Sequence, residues 1–320
     1  MYWIVSFCIA VNFAIVFSSV DLSKAATTLS QIISPSRSSQ RMPRTPVLCI
    51  SHGGPNLVED SDHPAYKQLQ KLGREITQDI RPKAIVVISA HWAGEPNQVE
   101  VNTAVTQGLI YDFYGFPAHY YKWQFPHSGS PELATRVLSL LGASGIKAEG
   151  VRRGLDHGVW VPFWCTFNPE ENALPADVPI VQVSLFDSDD GAKHFALGEA
   201  LTPLRDEGVL IIGSGMAVHN LRDMFRANGL GKTMPYVESF EPALKEAMEM
   251  GSPELRKTGL EALLRRPDAR KAHPDFDHLL PFFVGAGAAG EDPGKMIFTS
   301  PQGSLSWGMF QYGVDTVAAK

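Results

Sequence analysis

The sequence predicts an α/β protein: a single domain with a mostly parallel central sheet flanked by helices, and an active site at the carboxyl ends of the strands. Three apolar runs predict it. Residues 84–92 (A-I-V-V-I-S-A-H-W) are rich in β-branched side chains, with Arg81-Pro82-Lys83 before them and Gly94 after. That pattern suits a strand covered on both faces, as parallel sheets require. Residues 47–52 (V-L-C-I-S-H) and 209–219 (V-L-I-I-G-S-G-M-A-V-H) repeat it, and all three runs reach a histidine at or near their ends: His91, His52 and His219. Ligands of open α/β sheets collect in the crevice beyond the carboxyl ends of the strands, so these histidines are expected to face one pocket.

The intervening segments supply the helices. After the first strand a Gly-, Pro- and Asp-rich loop leads to a helix over residues 65–78, with Leu69, Leu72 and Ile76 on one face. The second strand covers 84–89, and 98–102 reads as a short edge strand. Residues 110–124 (I-Y-D-F-Y-G-F-P-A-H-Y-Y-K-W-Q) form an aromatic loop, either a satellite core or one wall of a pocket for an aromatic substrate. Ser130-Pro131-Glu132 opens a helix that runs to Leu141 near Gly142. A strand at 147–151, a helix at 161–167 despite Pro162, a strand at 180–184, a helix at 192–204 and a strand at 209–212 continue the alternation that builds doubly covered sheets. Helical stretches at 239–250 and 253–264 carry mixed charge and read as peripheral. An apolar helix at 279–286 and strands at 296–299 and 304–312 close the domain.

Length and composition narrow the function classes. A chain of 320 residues can bury a large core, and a net charge of -6 with no long basic run argues against nucleic-acid binding. Small molecules are the expected partners, and the oligomeric state, including a homo-oligomer, is left open. Cys8, Cys49 and Cys165 are odd in number and show no C-x-x-C spacing, so a metal here would be held by histidine and carboxylate. Residues 1–41 read as a segment apart from a catalytic domain at 42–320. Within it, residues 2–20 are apolar and uncharged, but no Lys or Arg precedes them. Three readings stay open: a cleaved signal or transit segment, a membrane anchor, or upstream sequence joined to a cytoplasmic enzyme that starts at Met42. The cytoplasmic assignment stands unless that segment is retained, in which case secretion or membrane contact through residues 2–20 follows.

The chain has ten histidines. His63, His119, His127, His194 and His273 read as surface or satisfied core residues. His52 and His91 rank first as metal ligands, because Gly53 and Gly54 let the backbone turn away from a strand end. His219 follows the third strand, His157 sits in an Asp-His-Gly turn, and His278 precedes an apolar helix. There is no H-E-x-x-H, no G-x-S-x-G and no P-loop. Gly213-Ser214-Gly215 looks like part of a phosphate loop, but Val218 stands where its third glycine would be.

Six motifs occur together and in order: S-H-G-G-P from Ser51, S-A-H-W from Ser89, Y-D-F-Y-G-F-P from Tyr111, L-D-H-G-V-W from Leu155, G-S-G-M-A-V-H-N-L from Gly213, and D-H-L-L-P from Asp277. Over residues 46–313 the chain thereby resembles the class III extradiol ring-cleavage dioxygenases, in their DOPA 4,5-dioxygenase branch. The resemblance implies a divalent metal, Fe(II) or Zn(II), held by His52, His91 and His278, with His219 either a further ligand or the active-site base. His157 matches a histidine suited to proton transfer. It implies a catechol such as DOPA and O2 as substrates and a semialdehyde as product. Tyr111, Phe113, Tyr114, Phe116 and Trp92 are candidates to hold the ring. A zinc-dependent hydrolase on the same scaffold is the alternative, and a non-catalytic metal-binding protein is a third reading.

Overall fold

The computed structural model describes residues 44–106 and 108–313. The expected boundary at Met42, and everything expected of residues 1–41, lie outside the described residues. In chain order the elements that matter here are β1 (Val47–Ser51), α1 (Pro64–Arg74), β2 (Ala84–Ala93), β3 (Val99–Asn102), α2 (Pro131–Ala143), β4 (Ala148–Val151), α3 (His157–Thr166), β5 (Ile180–Leu185), α4 (Gly191–Leu201), β6 (Val209–Gly215) and β7 (Val218–His219). There follow α5 (Met224–Leu230), α6 (Pro235–Met248), α7 (Pro253–Leu264), α8 (Leu280–Ala288), β8 (Gly294–Phe298), β9 (Pro301–Gln302), β10 (Leu305–Ser306) and β11 (Met309–Tyr312).

Among the described residues, eight strands form the main sheet, in the order β4-β3-β5-β2-β6-β1-β11-β8. Its centre, β5-β2-β6-β1, is parallel throughout, while β3 and β11 join antiparallel on either side. Alternation along the strands divides the core between two faces. Val47, Cys49, Val86, Ile88 and Ile211 pack with Leu197, Phe240 and Phe283 on one face. Leu48, Ile50, Ile85, Val87, Leu210 and Ile212 pack with Leu69, Leu72, Trp160 and Phe163 on the other. Every residue of β1 and β6 is buried, which accounts for continuous rather than alternating hydrophobicity in these strands.

Helix ends follow their local chemistry. The Ser130 hydroxyl accepts from the Leu133 N–H with Pro131 at the first turn, and the Asp190 carboxylate accepts from the Lys193 N–H. The C-terminal carbonyls of α8 and the residue after it are met by the buried Arg205, which donates to Ala288 O and Ala289 O. Among the described residues, no helix is long and apolar enough to cross a membrane.

β6 lies between β1 and β2, paired to each. Three expectations need correction. The run 209–219 is not one strand, because β6 stops at Gly215 and His219 belongs to β7 in a separate small sheet, β7-β10-β9. Residues 304–312 likewise divide at Trp307-Gly308 between β10 and β11, which lie in different sheets. Finally, α6 and α7 are not peripheral: Phe240, Leu244 and Leu260 are fully buried, Glu241 and Arg256 are turned inward with them, and the remaining charge on these helices is partly or fully exposed.

Candidate metal and active site

Sheet register sets the positions of the first two histidines. Ser51 pairs with Gly215 and Ser89 with Ser214, so β1, β2 and β6 end at one level. His52 is the next residue along β1, where its N–H donates to Gly215 O. His91 stands two residues past Ser89, and its N–H donates to the Ser89 hydroxyl. The small residues of β6 then admit a third element. A Cβ on Gly213 would lie 2.3 Å from Pro281 O, and one on Gly215 would lie 2.1 Å from His278 O. The Gly-Ser-Gly stretch, which in sequence looked like part of a phosphate loop, is therefore the seat of the segment carrying His278. That segment is fixed by the Met216 N–H donating to His278 O. Gly158 serves α3 in the same way, since a Cβ there would meet the Ser89 hydroxyl at 2.4 Å and His91 Cδ2 at 2.8 Å.

All five singled-out histidines line one cavity of 690 Å³. The ring centroids of His52, His91 and His278 form a nearly equilateral triangle of 5.0, 4.9 and 5.1 Å, with rings steeply inclined to one another. His157 lies 3.9 Å from His91 and 5.8 Å from His52 by the same measure. His219 stacks on His278 at 3.5 Å with 11° between the planes. Taken by donor atoms, two groups lie within 4.8 Å of one another: His52 with His91 and His157, and His219 with Asp277 and His278. By that criterion the histidines expected as ligands divide, His52 and His91 falling in one group and His278 and His219 in the other, although all border the same space.

Hydrogen bonding orders the ring nitrogens. His278 Nδ1 lies 2.9 Å from Asp277 Oδ1 and His157 Nδ1 2.8 Å from Asp112 Oδ1, both hydrogen bonds, while His91 Nδ1 faces Asp112 Oδ2 at 3.3 Å, an ion-pair distance. The Ser214 hydroxyl donates to Gly158 O and so can accept from His52 Nδ1 at 3.4 Å. An ionised Asp112 and Asp277 place the protons of His157 and His278 on Nδ1, and the same Nδ1 tautomer at His52 and His91 would leave all four Nε2 lone pairs free, the arrangement of a metal ligand held from behind. Burial, reinforced by the neighbouring rings, holds His52 and His278 well below the usual histidine range. Burial and His157 bring His91 down to about 4, with Asp156, Asp112 and Asp277 opposing. His219 is also lowered to about 4, chiefly by burial. Asp112 behaves oppositely: burial pushes it up, but hydrogen bonds from His157 outweigh that and leave it ionised, at about 2.

His52 Nε2 and His91 Nε2 lie only 3.2 Å apart. Two neutral rings with protons on the far nitrogens would point lone pairs at each other across that gap, and a cation relieves the repulsion. The donor set fits a divalent metal, and imidazole suits iron and zinc alike.

The aromatic expectations divide. Phe113 and Phe116 line the cavity. Trp92 does not, because its ring is buried and its Nε1 donates to Glu100. Tyr111 turns to Trp160 and donates to Trp123 O, and Tyr114 is 90% exposed. Of the histidines read as ordinary, His194 and His273 are core residues bonded to backbone, whereas His63 lines the cavity and caps α1. Asp112 escaped sequence reasoning. Its one available signal was to be the only acid in an aromatic stretch.

Comparison with known proteins extends this geometry. Residues 43–314 match the family model of the catalytic LigB subunit of aromatic ring-opening dioxygenase. A protein of Beta vulgaris named 4,5-DOPA dioxygenase extradiol is 40% identical over 82% of this chain and 94% of its own length. A protein of Escherichia coli (strain K12) with the same name is 34% identical over 78% and 88% respectively. The crystal structure of an uncharacterized Escherichia coli K12 protein superposes with a TM-score of 0.67 at 31% identity, covering 84% of this chain and all of that one. Neither the family nor these relatives supports a zinc-dependent hydrolase. Similarity that spans the sheet, its helices and the segments bearing all five histidines reflects one inherited catalytic domain, and the chain belongs to the class III extradiol ring-cleavage dioxygenases, the family of the LigB subunit.

Proposed function

We propose that the enzyme opens the ring of a DOPA-type catechol, with His52, His91 and His278 as the metal ligands and His157 and His219 as the proton-handling pair. The supporting observation is the triangle of mutually inclined rings with 4.9 to 5.1 Å sides. Inclined rings can aim lone pairs at one point; stacked rings cannot. A metal sits near the plane of each imidazole it binds, and planes 11° from parallel whose ring centres are 3.5 Å apart have no common point near the ring edges. His219 and His278 are therefore poor joint ligands of one ion, and the base role suits His219 better.

A divalent ion in that triangle, Fe(II) rather than redox-inert Zn(II), would supply the charge that favours ionised catechol oxygens and the redox chemistry between ring and O2. The three ligands bring no negative charge of their own, which selects for a doubly ionised catechol. His157 donates from Nδ1 to Asp112, so its Nε2 is free to accept a phenolic proton. His219 faces the same cavity and serves the other proton. Phe113 and Phe116 offer edges and faces against the ring, with their centroids 5.2 Å apart. His52, His157 and Phe113, buried in the inner wall, keep bulk water from that side of the ring while both atoms of O2 enter the product. The C–C bond beside the two oxygens breaks to leave one carboxylate and one aldehyde.

The test is anaerobic reconstitution with Fe(II) or Zn(II), followed by DOPA, caffeate or protocatechuate with and without O2. The Fe(II) form should consume O2 in proportion to a new near-visible absorbance, most rapidly with DOPA. Turnover by the Zn(II) form alone, without O2, would overturn the reading.

A further inference from the structure

We propose that Asp112 is a positioning residue that fixes the ring orientation and tautomer of His91 and His157 together. The inference rests on the reading of His91 as a ligand and His157 as a base. One carboxylate serves both rings: Oδ1 accepts from His157 Nδ1 at 2.8 Å and from the His157 backbone N–H at 3.0 Å, and Oδ2 faces His91 Nδ1 at 3.3 Å. The two rings come from different elements, the end of β2 and the first turn of α3, and Asp112 belongs to neither.

Its own position is fixed on both sides. At Ile110 the N–H donates to Leu155 O and the carbonyl accepts from Trp160 Nε1. Phe113, on the other side, is buried between Trp160 and His157. A carboxylate held this firmly dictates which nitrogen of each ring carries the proton. His157 Nδ1 donates to it, the carboxylate charge 3.3 Å from His91 Nδ1 favours the proton there too, and both Nε2 atoms then keep their lone pairs toward the cavity. Loss of the acceptor frees each ring to carry its proton on Nε2, which removes a ligand at His91 and a base at His157.

Asp112→Asn separates the two effects. An amide keeps one acceptor oxygen for the paired contacts from His157 but presents an NH2 group to His91 Nδ1. That NH2 drives the His91 proton onto Nε2. The experiment measures Zn(II) affinity by chelator competition for the wild type, Asp112→Asn, Asp112→Ala and His91→Ala, together with kcat and KM for DOPA at saturating Fe(II) and the melting temperature of each metal-free protein. Asp112→Asn should lose about 10- to 100-fold in metal affinity, with a metal-free melting temperature close to that of the wild type. Asp112→Ala should lose as much affinity and, when metal-saturated, about 10- to 100-fold in kcat with KM changed less than about threefold. Wild-type affinity in Asp112→Asn beside a loss in His91→Ala overturns the Asp112 inference alone. Wild-type affinity in His91→Ala overturns the site reading beneath it. Loss of affinity only in variants unfolded at the assay temperature reduces Asp112 to a structural residue and overturns the inference as well.

Discussion

At the floor of the cavity His52 and His91 ride on buried parallel strands, whereas at its mouth Leu221 and Met224 come from a single 3-10 turn and the start of the short helix α5. The polar groups of the floor are tied. Asp156, fully buried, accepts from Ser89 Oγ at 2.7 Å, Arg153 Nη1 at 2.8 Å and Gln182 Nε2 at 2.5 Å. Two of those partners hold the peptide of His91 at both ends, Ser89 by its N–H and Arg153 by its carbonyl. The mouth is apolar and open, with Leu221 53% exposed, and α5 beyond it presents Phe225 and Leu230 at 83% and 51%. The contrast separates two requirements. Ligands and bases must hold their geometry to within about 0.5 Å to be productive, while a mouth that only admits and releases a small molecule does not.

The largest effects should come from the floor itself. Replacing His52, His91 or His278 by Ala should abolish metal retention after gel filtration and lower turnover by more than about a thousandfold, whereas His157→Ala or His219→Ala should keep the metal and lose turnover. Metal content and kcat measured on the same preparations distinguish the groups. A His157→Ala protein that emerges metal-free would move His157 into the ligand set, as its grouping with His52 and His91 within 4.8 Å allows.

Next in size is the buried network beneath. Asp156→Ala leaves Arg153 beside an empty acceptor in a site with 0% exposure on the acid side and 19% on the basic side. Breaking such a pair costs about 3–5 kcal/mol, to be read as a shift in denaturation midpoint at unchanged slope. Arg222→Ala, which removes an ion pair with Asp275 that is 74% and 73% exposed, should leave the midpoint where it was. Equal effects of the two would abolish the distinction between floor and rim.

How much of this the sequence carried depends on what each feature consists of. The parallel sheet was legible because strands buried on both faces must be apolar at every position, and 84–88 and 209–212 are so. The histidines were legible through their places beyond those strands and through ordered motifs. The role of Gly213 and Gly215 was not, because close approach of His278 from 63 residues further on leaves no local trace, and the same two glycines suit a phosphate loop equally well. Asp112 and Ser214 were hidden for a related reason: a hydrogen bond across 45 or 162 positions has no periodicity. The buried faces of α6 and α7 were obscured by the charges on their outer sides, and Trp92 was misassigned because a strand's alternate side chains point to opposite faces.

A smaller effect concerns acid stability behind the floor. His273 is fully buried, its Nε2 donates to Ala217 O at 3.0 Å, and its pKa is lowered to about 3, chiefly by burial. His194 is lowered for the same first reason. For a depressed histidine the unfolded chain binds the extra proton, so its contribution is complete above the unfolded value near 6.5 and is lost as pH falls from there toward 3. The slope is about 1.4 kcal/mol per pH unit for one such group. His273→Gln, which keeps a donor for Ala217 O, should make the acid limb of stability shallower between pH 6 and 4 by about that amount. A limb of unchanged steepness would mean that the ring titrates in the folded state.

The smallest effects belong at the mouth, where they sharpen the comparison most. Phe225→Ser removes an apolar ring that is 83% exposed, and its stability should stay within about 0.5 kcal/mol of the wild type. Leu221→Ala and Met224→Ala thin the wall through which a catechol passes, so KM for DOPA should change by a fewfold while kcat and metal affinity hold. The split is the informative quantity, because a residue that only guides entry acts on ground-state binding, and one that orders the ligands acts on turnover. A large fall in kcat in either variant would show that the mouth closes over the bound ring and helps to hold it. The firm floor and the loose entrance would then be parts of one apparatus.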